Sequence, residues 1–451
     1  MNQTFKKSEK IRLLFYILIP ILITQISLYA MTFFDVMMSG QYSTEDVAGV
    51  SIGSSLWTPI YTGLSGILIA LTPVVSQLIG SKRPKLVSYS VMQAVYLAIS
   101  LAIIVLIAGT FALNPILHAM DLDPTVHRVA HDYLVALSIG IIPLFIYNAL
   151  RSFIDALGQT RISMIITLTA LPINVIFNYL LIYGKFGFPK LGGVGSGYAT
   201  AITYWLIALI AILVVVKISP FSSYKVFREF FRVSWIEWRS LLKIGVPIGL
   251  AIFFETSIFS AVTLFMSKYD TVTIASHQIA MNFASLLYMV PLSISMALTI
   301  VIGYEIGAKR YKDAREYSWI GIIMALSMAL VSSAIIYLFR EPVAALYTKD
   351  HAVVVLTSHF LIYAIFFQIS DALQAPIQGI LRGYKDVNVT FSMSLVSYWV
   401  LGLPIGYLFA KYTEMGAFGY WVGLISGLAL GAIGLAARLR YIQHIKFNKA
   451  A

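Results

Sequence analysis

Four acidic side chains, Asp35, Asp155, Glu255 and Asp371, stand within or at the edge of long apolar runs. A carboxylate at hydrocarbon depth costs a few kcal/mol and by default marks an ion or substrate pathway. Glu255, in FFETSIFS, and Asp371, in QISDALQAPIQGILRGYKD, lie deepest. Brought together in a low dielectric, two carboxylates cannot both stay ionised, so they share a proton or a cation holds both. Hard oxygen donors suit Na⁺ or H⁺ rather than a transition metal. The plainer alternative, a structural pair sharing one proton, explains the cost of burial less well.

Other residues carry weaker signals. Asp35 is followed by further apolar sequence, FFDVMMSG, which favours a buried protonatable group over a wetted helix end. Asn174 and Asn178 are one helical turn apart and face the same way, either as ion ligands or as hydrogen-bonding links between helices. Asp155 follows Arg151 by one turn and precedes Gly158, so a local ion pair at the membrane interface is expected. His277 and Glu305 are expected at the interfaces as well. Tyr147 is a candidate for the interior of the N-terminal half, although a Tyr in a span more often packs. Pro20 and Pro247 remove a backbone hydrogen bond and permit a kink, static or moving.

The elements that must position these residues are membrane helices. The chain has 451 residues, of which 59% are hydrophobic and 12% charged. Its mean hydropathy is +0.84. Soluble domains carry about 25% charged residues, so most of this surface faces lipid. Apolar runs of roughly 20 residues predict twelve spans, near 13–36, 46–78, 88–113, 128–154, 162–183, 195–216, 241–266, 272–304, 317–339, 352–380, 388–410 and 417–437. The first run is too long for a signal-peptide core and is expected to be the first span. Cysteine is absent, which excludes disulfides and thiolate metal sites.

The net charge of +12 is spread in short clusters between runs, a topology signal rather than a nucleic-acid surface. Lys6, Lys7, Lys10 and Arg12 precede the first span, and Arg438, Arg440, Lys446 and Lys449 follow the last. The loops after even-numbered spans hold further groups, including Lys82 with Arg83, Lys309 with Arg310, and Arg382 with Lys385. Both termini are therefore expected in the cytoplasm of a multi-pass protein in the inner or plasma membrane.

The chain is also internally duplicated. VSQLIGSKR ends the second span and IGYEIGAKR the eighth, with Gly80 and Gly307 separated by 307 − 80 = 227 residues. Pro20 and Pro247, and Thr72 and Thr299, share that offset. Gly192 and Gly195 match Gly416 and Gly419 at 416 − 192 = 224. The predicted organisation is a six-helix bundle over 1–216, a cytoplasmic linker over 217–240 in which residues 221–240 read as an amphipathic interfacial helix, and a second bundle over 241–451. GGVGSG misses the dinucleotide-binding pattern and reads as close helix packing. No Walker A sequence is present, which argues against ATP drive.

With these residues in place, the chain resembles the multidrug and toxic compound extrusion (MATE) transporters, in their NorM-like bacterial branch, over essentially its whole length. The paired IGSKR and IGAKR ends, Pro20, Asp35, Glu255, Asp371 and RSFIDALGQTR followed by LPINVIFNY carry the resemblance. It implies an all-α fold of twelve helices in two pseudo-symmetric bundles. It also implies an antiporter exchanging inward H⁺ or Na⁺ for amphiphilic, often cationic compounds by alternating access. Coupling-cation binding is expected at Glu255 and Asp371, with Asp35, Asn174 and Asn178 as a second set. Asp155, Tyr147, Phe367 and Pro20 would support them. Phe367 stands where relatives carry a tyrosine, which removes an oxygen ligand for Na⁺. Neither a cofactor nor nucleic acid is expected; the partners are small drugs, cations and the bilayer, and the protein is expected to be a monomer. A lipid-linked oligosaccharide flippase is the alternative, but it calls for a basic cavity, whereas these buried charges are acidic. An enzyme would need a nucleophile–base or metal constellation, and the sequence offers none.

Overall fold

The structure, a computed structural model, describes residues 3–448, so Lys449 lies outside the described residues. All regular elements among the described residues are helical. The first half comprises α1 (Lys7–Tyr42), α2 (Thr44–Ile69), α3 (Leu71–Gly80), α4 (Pro84–Ala119), α5 (Pro124–Ser138), α6 (Ile141–Ala156), α7 (Thr160–Tyr183) and α8 (Val194–Lys217). The second comprises α9 (Trp235–Met266), α10 (Thr271–Gly307), α11 (Tyr311–Ala345), α12 (His351–Gly383), α13 (Asn388–Ser394), a π-helical stretch (Leu395–Gly402), α14 (Leu403–Tyr412) and α15 (Phe418–Asn448). In hydrocarbon every backbone group must be satisfied within the segment, which is why apolar runs of this length become helices.

Among the described residues, eleven helical stretches are long and apolar enough to span a membrane, twelve when the bent pair α5–α6 is taken as one span. The run predicted as one span near 128–154 is thus broken, with a 52° bend at Ile139–Gly140. At the break α8 comes close, since a Cβ on Gly140 would lie 2.7 Å from the Ala201 backbone. Side chains cap some of the helix N-termini. Ser43 accepts from the Asp46 amide at 3.0 Å, and Asp350 from the Ala352 amide at 2.9 Å.

The described chain forms two compact units. One joins residues up to Leu22 with Pro247 onward; the other is Ile23–Val246. The divisions fall at or just after the matched prolines Pro20 and Pro247. Packing therefore groups the first helical turns of α1 with the later helices, and residues 217–246 with the earlier ones. The sequence-read boundaries at 216 and 240 follow loop positions instead.

The duplication recurs in backbone geometry. Left-handed residues stand at Lys82 and Lys309, with φ of 56° and 59°. Others stand at Gly158 and Lys385, with φ of 75° and 61°, and at Gly192 and Gly416, with φ of 61° and 53°. These pairs keep the offsets 385 − 158 = 227 and 416 − 192 = 224. Small residues then let helices approach closely: a Cβ on Gly195 would lie 2.6 Å from the Leu181 backbone.

The linker departs from expectation. Instead of an amphipathic helix over 221–240, there is a 3₁₀ turn (Phe221–Tyr224), non-helical chain to residue 234, and then α9. Lys225, with φ of 52°, ends the turn. Gln93 of α4 then occupies the backbone groups that a helix would use, donating to the Arg232 carbonyl at 2.7 Å and accepting from the Ser234 amide at 2.9 Å.

Candidate functional site

Within the unit Ile23–Val246, α1, α7 and α8 bring together one acid and three neutral polar side chains. Asp35 is 5% exposed, and Asn174 and Asn178 are fully enclosed. The Asp35 Oδ1 accepts from Asn178 Nδ2 at 2.6 Å, and its Oδ2 accepts from the Thr200 hydroxyl at 2.9 Å. Asn178 also donates to Asn174 Oδ1 at 3.1 Å, and Asn174 donates to Thr200 Oγ1 at 3.1 Å. The ring leaves one oxygen over: Asn178 Oδ1 is buried and has no hydrogen-bond partner. Burying such an acceptor unpaired costs about 1–3 kcal/mol. Beside it, Phe34, Met37, Met38 and Gln41 of α1 and Val175, Tyr179 and Tyr183 of α7 line an open recess of about 530 Å³.

In the other unit, α9, α12 and α13 build a second cluster. Glu255 is 8% exposed and accepts hydrogen bonds from Gln378 Nε2 and, at 3.1 Å, from the Ser394 hydroxyl. Gln378 Oε1 in turn accepts from Arg382 Nη2 at 3.3 Å. Arg382, which the charge pattern groups with loop residues, lies in the last turn of α12, 4% exposed and within electrostatic reach of Glu255. Asp371, 5% exposed, does not bond Glu255 directly but lies within reach of its charge. None of the hydrogen bonds or ion pairs described here involves the Asp371 carboxylate.

The remaining candidates fall into place around these clusters. Asp155 is enclosed, with Arg151 Nε 3.5 Å away and the Ser163 hydroxyl donating to it at 2.6 Å. Tyr147 is enclosed and bonded to Thr167 at 2.9 Å. Phe367 packs edge-on against Phe259 at 5.8 Å and, with Tyr288, lines a cavity of about 30 Å³, room for about one water molecule. Pro20 sits within α1 without ending it. His277 and Glu305 are enclosed by protein rather than wetted: the Trp421 indole donates to His277 Nδ1 at 3.1 Å, and Glu305 pairs with Arg310 at 3.3 Å.

Four participants escaped the sequence reading: Thr200, Gln378, Ser394 and Arg382. Thr200 sits unremarkably in SGYATAITYW. Gln374, Gln378 and Arg382, spaced by four, form a polar stripe on α12 that the helical period could have exposed.

The MatE family model matches the chain twice, over residues 20–180 and 247–408. The chain belongs to the MatE family. The two matches begin 247 − 20 = 227 residues apart, the offset of the internal duplication. The chain is 57% identical over 451 residues to the probable multidrug resistance protein NorM of Halalkalibacterium halodurans, covering 100% of this chain and 98% of that one. It is 58% identical over 443 residues to the protein of the same name from Bacillus subtilis, covering 98% of each. Among solved structures, an outward-facing multidrug resistance MATE transporter of the MOP superfamily superposes with a TM-score of 0.88 at 17% identity. That match covers 99% of this chain and 100% of the other.

Proposed function

We propose that this MatE-family protein is a multidrug efflux antiporter of the NorM type, exporting amphiphilic, often cationic compounds in exchange for inward H⁺ or Na⁺. The observation that carries the reading is the pair of enclosed acidic clusters, one in each unit, on a scaffold whose relatives bear the name multidrug resistance protein. A buried carboxylate attracts both a coupling cation and a cationic drug, so one negative site serves both directions of exchange.

The two clusters differ in chemistry. Asp35, Asn174, Asn178 and Thr200 offer hard oxygens, including the spare Asn178 Oδ1, and so fit Na⁺ as well as H⁺. Near Glu255 a cation is already built in. Arg382 offsets one of the two acidic charges there, which leaves a single charge for the transported cation to balance. Glu255 and Asp371 then work as one site with a capacity of one proton. The recess beside Asp35, walled by Met and aromatic side chains, suits varied lipophilic ligands.

In this account alternating access uses the matched prolines, where packing passes from one unit to the other. The protein acts as a monomer in the plasma membrane with both termini cytoplasmic. An oligosaccharide flippase is disfavoured by the acidic character of both clusters. Drug efflux from proteoliposomes, with pH and Na⁺ gradients imposed separately, tests the reading. Efflux that survives collapse of both gradients would overturn it.

A further inference from the structure

We propose that residues 225–239 form a binding surface for anionic phospholipid headgroups, seating the segment between α8 and α9 on the bilayer interface. The segment has two faces. Its inner face is fastened to its own unit: Val226 and Trp238 are buried, Phe231 packs edge-on against Tyr89 at 5.2 Å, and Ser90 donates to Glu237 at 2.8 Å. Gln93 holds the backbone at Arg232 and Ser234. These anchors fix which side chains face outward.

The outer face is apolar and basic together. Phe230 is 81% exposed, Trp235 75% and Ile236 85%, and Val233 is also exposed. Lys225, Arg228, Arg232 and Arg239 are exposed among them, with Glu229 the acid on the same stretch. Water would penalise such an apolar cluster. Most other exposed apolar side chains belong to spans and meet acyl tails, whereas this cluster runs from the chain before α9 into that helix's first turn. It is tethered at both ends, to α8 at Lys217 and to α9 at Trp235, and so stays beside the membrane surface.

Trp, Phe and Ile at that depth insert at the boundary of headgroups and acyl chains, while guanidinium and ammonium groups meet the phosphates. Four basic groups against one acid match a negative leaflet, and each basic group near an anionic surface raises affinity by roughly fivefold. The fixed non-helical chain to residue 234 and the first turn of α9 together present this pattern.

The test uses the full chain reconstituted in vesicles of phosphatidylcholine with phosphatidylglycerol, brominated on one lipid or the other. Trp235→Phe isolates the emission of one indole among seven. Quenching lost in Trp235→Phe, and about twofold stronger with brominated phosphatidylglycerol than with brominated phosphatidylcholine, is the expected result. In Arg228→Gln/Arg232→Gln/Arg239→Gln that preference should fall to parity while Trp235 quenching persists. Equal quenching by the two lipids in the unaltered protein would overturn anionic recognition. Trp235 emission untouched by either lipid would overturn the surface itself, and cross-linking of Trp235 to a second copy would assign the face to self-association instead.

Discussion

Asp155 and Arg382 occupy the same position in the two repeats, 382 − 155 = 227 residues apart, yet they carry opposite charges. Both are 4% exposed, and each lies one turn beyond another matched pair, Arg151 and Gln378. In the first unit Arg151 meets Asp155 itself; in the second the cation moves to position 382 and reaches Glu255 through Gln378. One scaffold thus holds two different electrostatic arrangements, and in the second unit the divergence reaches Glu255, one of the acids proposed to couple transport.

Removing the built-in cation should be costly. Arg382→Gln leaves two buried acids uncompensated and is expected to lower stability by about 3–5 kcal/mol. Adding Glu255→Gln to that variant should recover most of the loss. Thermal unfolding of the two single variants and the double variant measures the coupling. Additive losses would show that Arg382 does not serve Glu255.

The Asp35 ring makes a separate prediction. Thr200→Val removes a donor to Asp35 and an acceptor for Asn174, and should cost roughly 1–2 kcal/mol of stability. If the ring binds Na⁺, the same variant should lose Na⁺-dependent protection against unfolding. Undiminished protection by Na⁺ would place any sodium site elsewhere.

Phe367→Tyr restores an oxygen at the small cavity shared with Tyr288. Transport by this variant should depend more strongly on Na⁺ than transport by the unaltered protein, at matched membrane amounts. An unchanged ratio of Na⁺-driven to H⁺-driven efflux would count against this cavity as part of the cation site.

Close helix packing is testable without transport. A Cβ at Gly379 would fall 2.1 Å from the Ser295 carbonyl oxygen, a backbone atom of α10 that cannot swing away. Gly379→Ala should therefore destabilise by about 1–3 kcal/mol, read as a lowered unfolding temperature. A neutral effect would mean that α10 and α12 yield more easily than their contact implies.

These residues also show what could be read beforehand. The spans were legible because hydrocarbon imposes length and apolarity on each one. The break at Gly140 was not, since the run through it stays apolar and α8, which packs there, is distant in sequence. Asp35, Glu255 and Asp371 announced themselves as charges in apolar sequence. Thr200 and Ser394 did not, because hydroxyls are common in spans and only folding brings them to a carboxylate. Arg382 was misread for a related reason. Three residues from Lys385, it looked like part of a loop cluster, and only the register of α12 turns it inward.

The central claim is that buried carboxylates couple efflux to an ion gradient. Its most direct test is gradient-driven drug efflux from proteoliposomes containing Glu255→Gln or Asp371→Asn at matched amounts, with pH and Na⁺ gradients imposed separately. Asp371→Asn leaves Glu255 balanced by Arg382, with nothing left to bind the transported cation. Glu255→Gln removes the acid whose charge reaches both Asp371 and Arg382, so the pair can no longer share the transported cation. Both variants should remain folded and lose coupled efflux under either gradient. If both pump normally, the coupling site is not at Glu255 and Asp371, and the ring around Asp35 takes its place.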